Sequence, residues 1–151
     1  MTRSTDLVAQ QLWDFVYAYD AAYDEAARSV GLSSAQACLL KAVADGPRTM
    51  GYIATTLLCD ASNVTQLVTR LESKGLVRRQ PGTVDRRSRD VVITPAGTEL
   101  DAAVHAAFDF PTERIDRLPA SARDTLSELL AALSTDTQGS LPRPPTPGAD
   151  G

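Results

Sequence analysis

The sequence predicts a mainly α-helical fold with a small β wing, and two adjacent patterns within residues 57–97 carry that prediction. The first is a helical pattern that begins at Asp60, ends at Lys74-Gly75, and presents serine, asparagine, threonine, glutamine and arginine on its exposed face. The second is a strand–turn–strand pattern in which the arginine-rich loop 81–89 separates two short apolar runs. A polar-faced helix followed by an arginine-tipped hairpin is typical of a winged helix-turn-helix, a fold that lies on a DNA duplex.

The residues before this region predict two helices, a short strand and the first helix of the helix-turn-helix. The first helix spans about residues 6–29, because its apolar residues recur at the spacing that one helical face requires. The second helix covers residues 33–45, with a serine as its N-cap and a Gly-Pro pair after its end. Residues 48–50 could add a short strand, and the next helix covers about residues 51–58.

The residues after the wing predict two more helices and a tail. Thr94-Pro95 opens a helix with the threonine as its cap and the proline at its first position, and Pro111 ends or kinks that helix. Leu118-Pro119 opens a last amphipathic helix with leucines on one face. Residues 135–151 hold four prolines and three glycines and almost no apolar side chain to bury, so we predict a disordered tail.

We expect one domain over residues 1–134, followed by the tail. Within it, about residues 33–94 form the winged-helix DNA-binding part, flanked by helices in residues 6–29 and 95–134. These flanking helices have more apolar surface than a compact helix-turn-helix needs, which favours packing against each other and against a second copy. The alternative is that they complete the core of a monomer. We therefore predict a homodimer held by N- and C-terminal dimerisation helices.

Length and composition exclude several other classes of protein. A chain of 151 residues can bury one hydrophobic core. No apolar run approaches the roughly 18 residues of a membrane span, and the N-terminus lacks a secretory apolar segment, so we expect a cytoplasmic protein with no membrane partner. Cys38 and Cys59 lack disulfide-framework or metal-ligand spacing, and His105 is the one histidine. Because no phosphate loop or Ser/His/Asp set is present, we expect no enzyme, no metal and no cofactor.

The acidic net charge of −4 conceals a basic region. Residues 60–90 carry seven basic and four acidic side chains, whereas the remaining residues carry eight basic and fifteen acidic ones. Positive charge is thus concentrated on the helix and the wing, where the phosphates of a duplex would lie. A charge cluster alone can be an ordinary solvated face, but its coincidence with the helix–wing pattern favours double-stranded DNA as the partner.

The chemistry of the second helix of the motif assigns roles to its residues. Asp60 suits the N-cap. The first two turns of such a helix enter the major groove deepest, where amide side chains can pair bidentately with adenine. The candidates for base contact in these turns are Ser62, Asn63, Thr65 and Gln66. Arg70, one turn later, can reach guanine or a phosphate.

Residues of the helix-turn-helix, the wing and the following helix match a known family pattern. They are Ile53-Ala54, Leu57, Ser62, Val64-Thr65, Arg70-Leu71-Glu72, Lys74-Gly75-Leu76-Val77, Asp85-Arg86-Arg87-Ser88 and Ile93-Thr94-Pro95-Ala96-Gly97. With these residues the chain resembles the multiple-antibiotic-resistance regulator (MarR) family of winged-helix transcription factors, and the helix order extends the resemblance to about residues 6–134. The resemblance implies a homodimer with interlocking terminal helices and a small-molecule effector that acts between the dimer and DNA-binding parts.

The resemblance also assigns the wing residues. It places the tip arginine at Arg87, two residues after Asp85, and implies that this guanidinium enters the narrow minor groove of A/T-rich DNA. Asp85 is expected to support the wing by pinning an arginine or the loop backbone. Arg78, Arg86 and Arg89 are candidate phosphate contacts.

The resemblance implies a repressor that is relieved by a small-molecule ligand, and we expect it to bind a pseudo-palindromic operator as a homodimer. The sequence does not indicate which residues would bind that ligand. One alternative is a thiol-based redox sensor that uses Cys38 or Cys59, although buried free cysteine usually behaves as a small hydrophobe. The other is a winged-helix module that binds proteins and not DNA.

Overall fold

The computed structural model describes residues 2–134, so the predicted disordered tail, residues 135–151, lies outside the described residues. The helices are α1 (Thr2–Ser29), α2 (Ser34–Val43), α3 (Met50–Leu57), α4 (Ala61–Ser73), α5 (Pro95–Ala107), α6 (Thr112–Asp116) and α7 (Ala120–Ser134). The strands are β1 (Arg48–Thr49), β2 (Val77–Pro81) and β3 (Arg89–Ile93). This mainly helical architecture with a small antiparallel sheet confirms the predicted fold class.

Helix α2 lies at the centre of the hydrophobic core. A capping box fixes its start: the Gln36 N–H donates to Ser33 Oγ at 3.2 Å, and the Ser33 N–H donates to Gln36 Oε1 at 3.1 Å. The side chains of Leu39, Leu40 and Val43 are fully buried. Helix α2 contacts α1, α3, α4 and α5, so these four helices are assembled around it.

The C-terminal part of α1 packs into this core. Ala26 and Ala27 are buried, and Gly31, with a φ of +80°, turns the chain toward α2. One turn earlier, the ring of Tyr23 meets Phe108 edge-on, with the ring centroids 5.2 Å apart. The N-terminal half of α1 instead carries exposed apolar side chains. These are Leu7, Val8, Leu12, Trp13, Phe15, Val16 and Tyr17.

The sheet has the strand order β1-β3-β2 and is antiparallel throughout. Pro81 pairs with Arg89, so β3 begins at Arg89 and not at Val91, where the apolar run begins. The predicted loop 81–89 was therefore one residue too long at each end, because ladder hydrogen bonds join backbone groups and continue through polar residues beyond the apolar run. Val77 and Val91 extend their side chains into the core and fix the wing to it.

Thr94 holds the junction between the wing and α5. Its hydroxyl donates to the Gly75 carbonyl at 2.6 Å and accepts from the Gly97 N–H at 3.1 Å, which caps α5. A Cβ on Gly97 would overlap the carbonyl oxygen of Leu76. The start of α5 is therefore fixed against the end of α4 by a threonine cap and a close glycine contact.

Helix boundaries and the C-terminal helices differ in detail from the prediction. Helix α1 begins at Thr2, about one turn before the predicted start at Asp6. The five-residue helix α6 was not predicted, because it buries no side chain and so has no apolar periodicity. The chain divides after Asp116, and α7 belongs to a second unit that begins at Arg117.

Candidate nucleic-acid interface

Helices α3 and α4 form a helix-turn-helix whose turn is residues 58–60. Leu58 ends α3 in the left-handed backbone conformation, with φ 54° and ψ 41°. Asp60 caps α4, because its Oδ1 accepts from the Asn63 N–H at 2.9 Å and from the Ser62 hydroxyl at 2.7 Å. The backbone hydrogen bond from Asn63 is the main cause that lowers the pKa of Asp60, followed by the Ser62 hydroxyl. The cap is therefore a charged carboxylate at neutral pH.

Helix α4 is buried along one face and exposed along the other. Val64, Val68 and Leu71 are fully buried, and Leu67 packs against them at the edge of the core. The five predicted contact residues are all exposed: Ser62, Asn63, Thr65, Gln66 and Arg70. A helix held to a core by one face presents the opposite face in a fixed orientation, as contact with base edges requires.

The polar side chains on the exposed face of α4 differ in whether their hydrogen-bond donors are free for a ligand. The Ser62 hydroxyl donates to the cap carboxylate, and the Thr65 hydroxyl donates to the carbonyl one turn earlier at 2.9 Å. Each hydroxyl therefore retains acceptor lone pairs only. Within residues 2–134, the side chains of Asn63, Gln66 and Arg70 make no hydrogen bond. These three side chains keep all their donors for a ligand, and their chemistry matches adenine and guanine edges.

Asp85 stabilises the wing loop, residues 82–88, by accepting hydrogen bonds from backbone N–H groups of the loop. Its Oδ1 accepts from the Arg87 N–H at 2.9 Å, and its carbonyl accepts from the Ser88 N–H at 3.0 Å. The Gly82 N–H donates to the Ser88 carbonyl at 2.9 Å, and a Cβ on Gly82 would overlap the Asp85 carbonyl. Of the two roles considered for Asp85, the contacts fit the second, since among residues 2–134 it binds loop backbone and no arginine side chain.

A second acidic residue, Asp90, anchors the same loop and was not identified from the sequence. Its side chain is 3% exposed, and its Oδ2 accepts from both the N–H and the hydroxyl of Thr83, each at 3.1 Å. The sequence signal was weak because Asp90 follows a run of arginines and resembles part of a solvated charged loop. In the structure it is a buried acceptor that ties the loop to β3.

All four predicted wing contacts lie exposed, on β2, on the loop and at the start of β3. They are Arg78, Arg86, Arg87 and Arg89. Among the described residues, none of the four forms an ion pair. Their positive charge is therefore uncompensated locally and available to phosphate oxygens or a groove.

Arg79 differs from these four arginines. Its side chain is 27% exposed, and its Nη1 lies 2.8 Å from Oε1 of Glu72 on α4. Neither residue was identified from the sequence as part of the site. The pattern could not indicate the pair, because the two residues lie on different elements and meet only when β2 packs beside α4.

Residues 30–88, from the start of α2 into the wing, match the MarR family. This match covers 59 of the 151 residues. The chain is similar in structure to apo wild-type MarR from E. coli, with 23% identity, 83% of this chain and 95% of that chain covered, and a TM-score of 0.69. CouR from Rhodococcus jostii RHA1, solved with bound p-coumaroyl-CoA, shows 23% identity, coverage of 90% and 97%, and a TM-score of 0.69. The transcriptional regulator Tm0710 from Thermotoga maritima shows 26% identity, coverage of 89% and 99%, and a TM-score of 0.66. No curated protein matches the chain.

The two cysteines, Cys38 and Cys59, are free and half-buried. Burial raises the pKa of the Cys38 thiol, and this effect exceeds the lowering by the hydrogen bond with Tyr23 and by the charge of Lys41. A raised pKa reduces the fraction of reactive thiolate. Cys59 packs against the hydrophobic core in the turn before α4. Both positions suit a cysteine that serves as a small apolar residue.

Residues 2–134 contain no group of three or more His, Cys, Asp or Glu side chains that could hold a metal ion. None of the described helices is long and apolar enough to cross a membrane. His105 is exposed on α5.

Proposed function

We propose that this protein is a homodimeric transcriptional repressor of the MarR family that binds a pseudo-palindromic operator in the cytoplasm and is released by a small-molecule ligand. The proposal does not include an enzymatic activity. The observation that carries it is the exposed face of α4, where Asn63, Gln66 and Arg70 keep all their donors beside an arginine-rich wing. Side chains of this chemistry on a rigid helix fit the base edges of the major groove.

The two parts of this surface have different tasks in the proposal. Helix α4 enters the major groove, and Arg87 on the wing enters the adjacent minor groove. Arg78, Arg86 and Arg89 bind phosphates, which supplies affinity without sequence preference, whereas Asn63 and Gln66 supply the preference for particular bases.

The dimer part of the proposal rests on the N-terminal half of α1. Trp13 and Tyr17 are 60% and 67% exposed, and their rings lie 5.6 Å apart. They adjoin further exposed apolar residues of the same helix, including Leu12 and Val16. A contiguous apolar patch that is exposed to solvent favours burial against another copy. A two-fold dimer would then present two α4 helices to half-sites about one helical turn apart.

The ligand part of the proposal is supported by a structural relative. CouR, which shares the fold, was solved with p-coumaroyl-CoA bound, so a protein of this architecture can hold an aromatic acyl-CoA. A ligand releases DNA if it binds more tightly to a form in which the two α4 helices no longer match the half-sites. Release by thiol oxidation is less favoured, because burial raises the pKa of Cys38.

Selection from a random pool of duplexes, followed by binding measurements at several salt concentrations, tests the proposal. We expect an enriched pseudo-palindrome, a dimer by light scattering, and an affinity that falls steeply with salt. The DNA-binding role would be contradicted if the protein enriched no sequence and its affinity for duplex DNA were no higher than its affinity for unrelated acidic polymers. That result would favour the protein-binding module.

A further inference from the structure

Arg79 lies in the middle of β2, but its guanidinium turns toward α4. Nη1 donates to Glu72 Oε1 at 2.8 Å, and Nη2 donates to the Thr69 hydroxyl at 2.9 Å, with the Thr65 carbonyl at 3.5 Å. The backbone N–H of Arg79 donates to the second oxygen of Glu72 at 3.1 Å. Glu72 thus accepts from both the backbone and the side chain of one residue. We call these contacts the Arg79 clamp.

The Arg79 clamp joins the two parts of the surface that would contact DNA. Thr65 and Thr69 lie on the exposed side of α4, and Thr65 is a predicted base contact. On the other side, Arg79 is paired in the sheet with Val91, which is fully buried, so β2 is itself fixed to the core at this point. Beyond Arg79, β2 leads directly into the wing loop. The clamp therefore sets how α4 is placed relative to the strand that carries the wing.

The geometry of the clamp suits positioning better than it suits a contact with phosphate. A planar guanidinium that donates from one nitrogen to a carboxylate and from another to a hydroxyl is held in a fixed orientation. A lysine ammonium cannot reproduce this geometry. The donors of Arg79 are taken up by Glu72, Thr69 and Thr65. Arg78, the residue before it, is exposed and forms no ion pair among the described residues. Because both clamp residues are partly exposed, their ion pair should add little to the stability of the fold.

We propose that Arg79 is a positioning residue for sequence recognition, which acts through Glu72 and Thr69 to hold α4 at one angle to the wing. This inference rests on the proposed DNA-binding function and adds a residue to it. Its consequence is that loss of the clamp lowers the preference for the correct sequence, while the number of phosphate contacts stays the same.

The test compares Arg79→Gln, Arg79→Lys and Glu72→Gln with Arg78→Gln as a matched control. Fluorescence anisotropy gives the affinity of each full-length variant for the selected duplex and for a scrambled duplex of the same length, over a range of salt. For Arg79→Gln and Glu72→Gln we expect the ratio of the two affinities to fall about tenfold, with the salt slope unchanged. Arg79→Lys should show a smaller fall in the same ratio. Arg78→Gln should weaken both duplexes alike and lower the slope by about one.

A second readout without DNA separates failure of the clamp from failure of the function. Amide hydrogen exchange across residues 61–73 should be faster in Arg79→Gln than in the wild type, and unchanged in Arg78→Gln. If Arg79→Gln fails to fold, Arg79→Lys and Glu72→Gln decide the outcome. A wild type that does not discriminate between the duplexes refutes the proposed function. The positioning role is refuted if the wild type discriminates between the duplexes and the Arg79 variants keep the same ratio of affinities. It is also refuted if the Arg79 variants lower the salt dependence of the affinity as Arg78→Gln does.

Discussion

Replacing Asp90 by alanine should loosen the wing while leaving the helical core intact. Asp90 is 3% exposed, and its carboxylate accepts two hydrogen bonds from Thr83, each at 3.1 Å. A hydrogen bond to a charged group contributes about 1.5–3 kcal/mol. Two effects reduce the loss, because water can reach the exposed Thr83 once the loop opens and because the variant no longer buries a carboxylate. We therefore expect the free energy of unfolding to fall by about 1–2 kcal/mol.

Thermal unfolding followed by circular dichroism measures this loss, which corresponds to a Tm lower by about 3–8 °C for a domain of this size. Thr83→Val removes the hydroxyl and keeps the N–H, so it should cost about half as much. Binding of the selected duplex should weaken roughly tenfold in Asp90→Ala, because an unanchored loop must be ordered again when Arg87 meets DNA. An unchanged Tm together with unchanged hydrogen exchange in residues 82–88 would refute the anchoring role of Asp90.

Three more predictions concern the wing tip, the helix cap and the cysteines. Arg87→Ala should weaken operator binding by about 1–3 kcal/mol, because it removes a cation inserted in the groove. The Tm should stay unchanged, because the exposed tip buries nothing. Equal affinity of variant and wild type in a gel shift would exclude the minor-groove role. Asp60→Ala should lower the Tm at neutral pH. Since hydrogen bonds lower the pKa of Asp60 in the folded state, the stabilisation is present above its ordinary value of 3.8 and is lost as the pH falls through the folded-state pKa. The Tm difference from the wild type should therefore shrink in acid, and a difference that stays constant would contradict the charged cap. The double variant Cys38→Ser, Cys59→Ser should bind and release DNA like the wild type, and peroxide should release neither protein from DNA. If peroxide released the wild type from DNA but not the double variant, the protein would be a thiol sensor.

The features that could be predicted from the sequence depend on neighbouring residues. The caps at Ser33 and Thr94 act within the first turn of their own helices, and the helical pattern of α4 indicated its exposed polar face. The same locality explains why the exposed face of α4 could be assigned, since burying Val64, Val68 and Leu71 leaves the opposite residues in solvent.

The features that were missed depend on contacts between elements. Asp90 and Thr83 meet across the wing, and Arg79 meets Glu72 only after β2 packs beside α4. In the sequence, Asp90 and Arg79 therefore appeared as members of a charged cluster. In the sequence, an exposed arginine such as Arg78 cannot be distinguished from a structural one such as Arg79. The tertiary structure distinguishes them, because it shows which arginine has a partner.

The central claim is that the exposed face of α4 reads base edges, and Gln66→Ala tests it most directly. The measurement is the affinity of the wild type and of the variant for a set of duplexes in which each base pair of the selected operator is changed in turn. Because the Gln66 side chain is exposed and makes no hydrogen bond within residues 2–134, its loss should not disturb the fold. We expect the variant to lose its base preference at one position in each half-site, by about 1–3 kcal/mol, and to keep the other preferences. A variant that keeps the wild-type preference at every position, or weakens all duplexes equally, would contradict the claim.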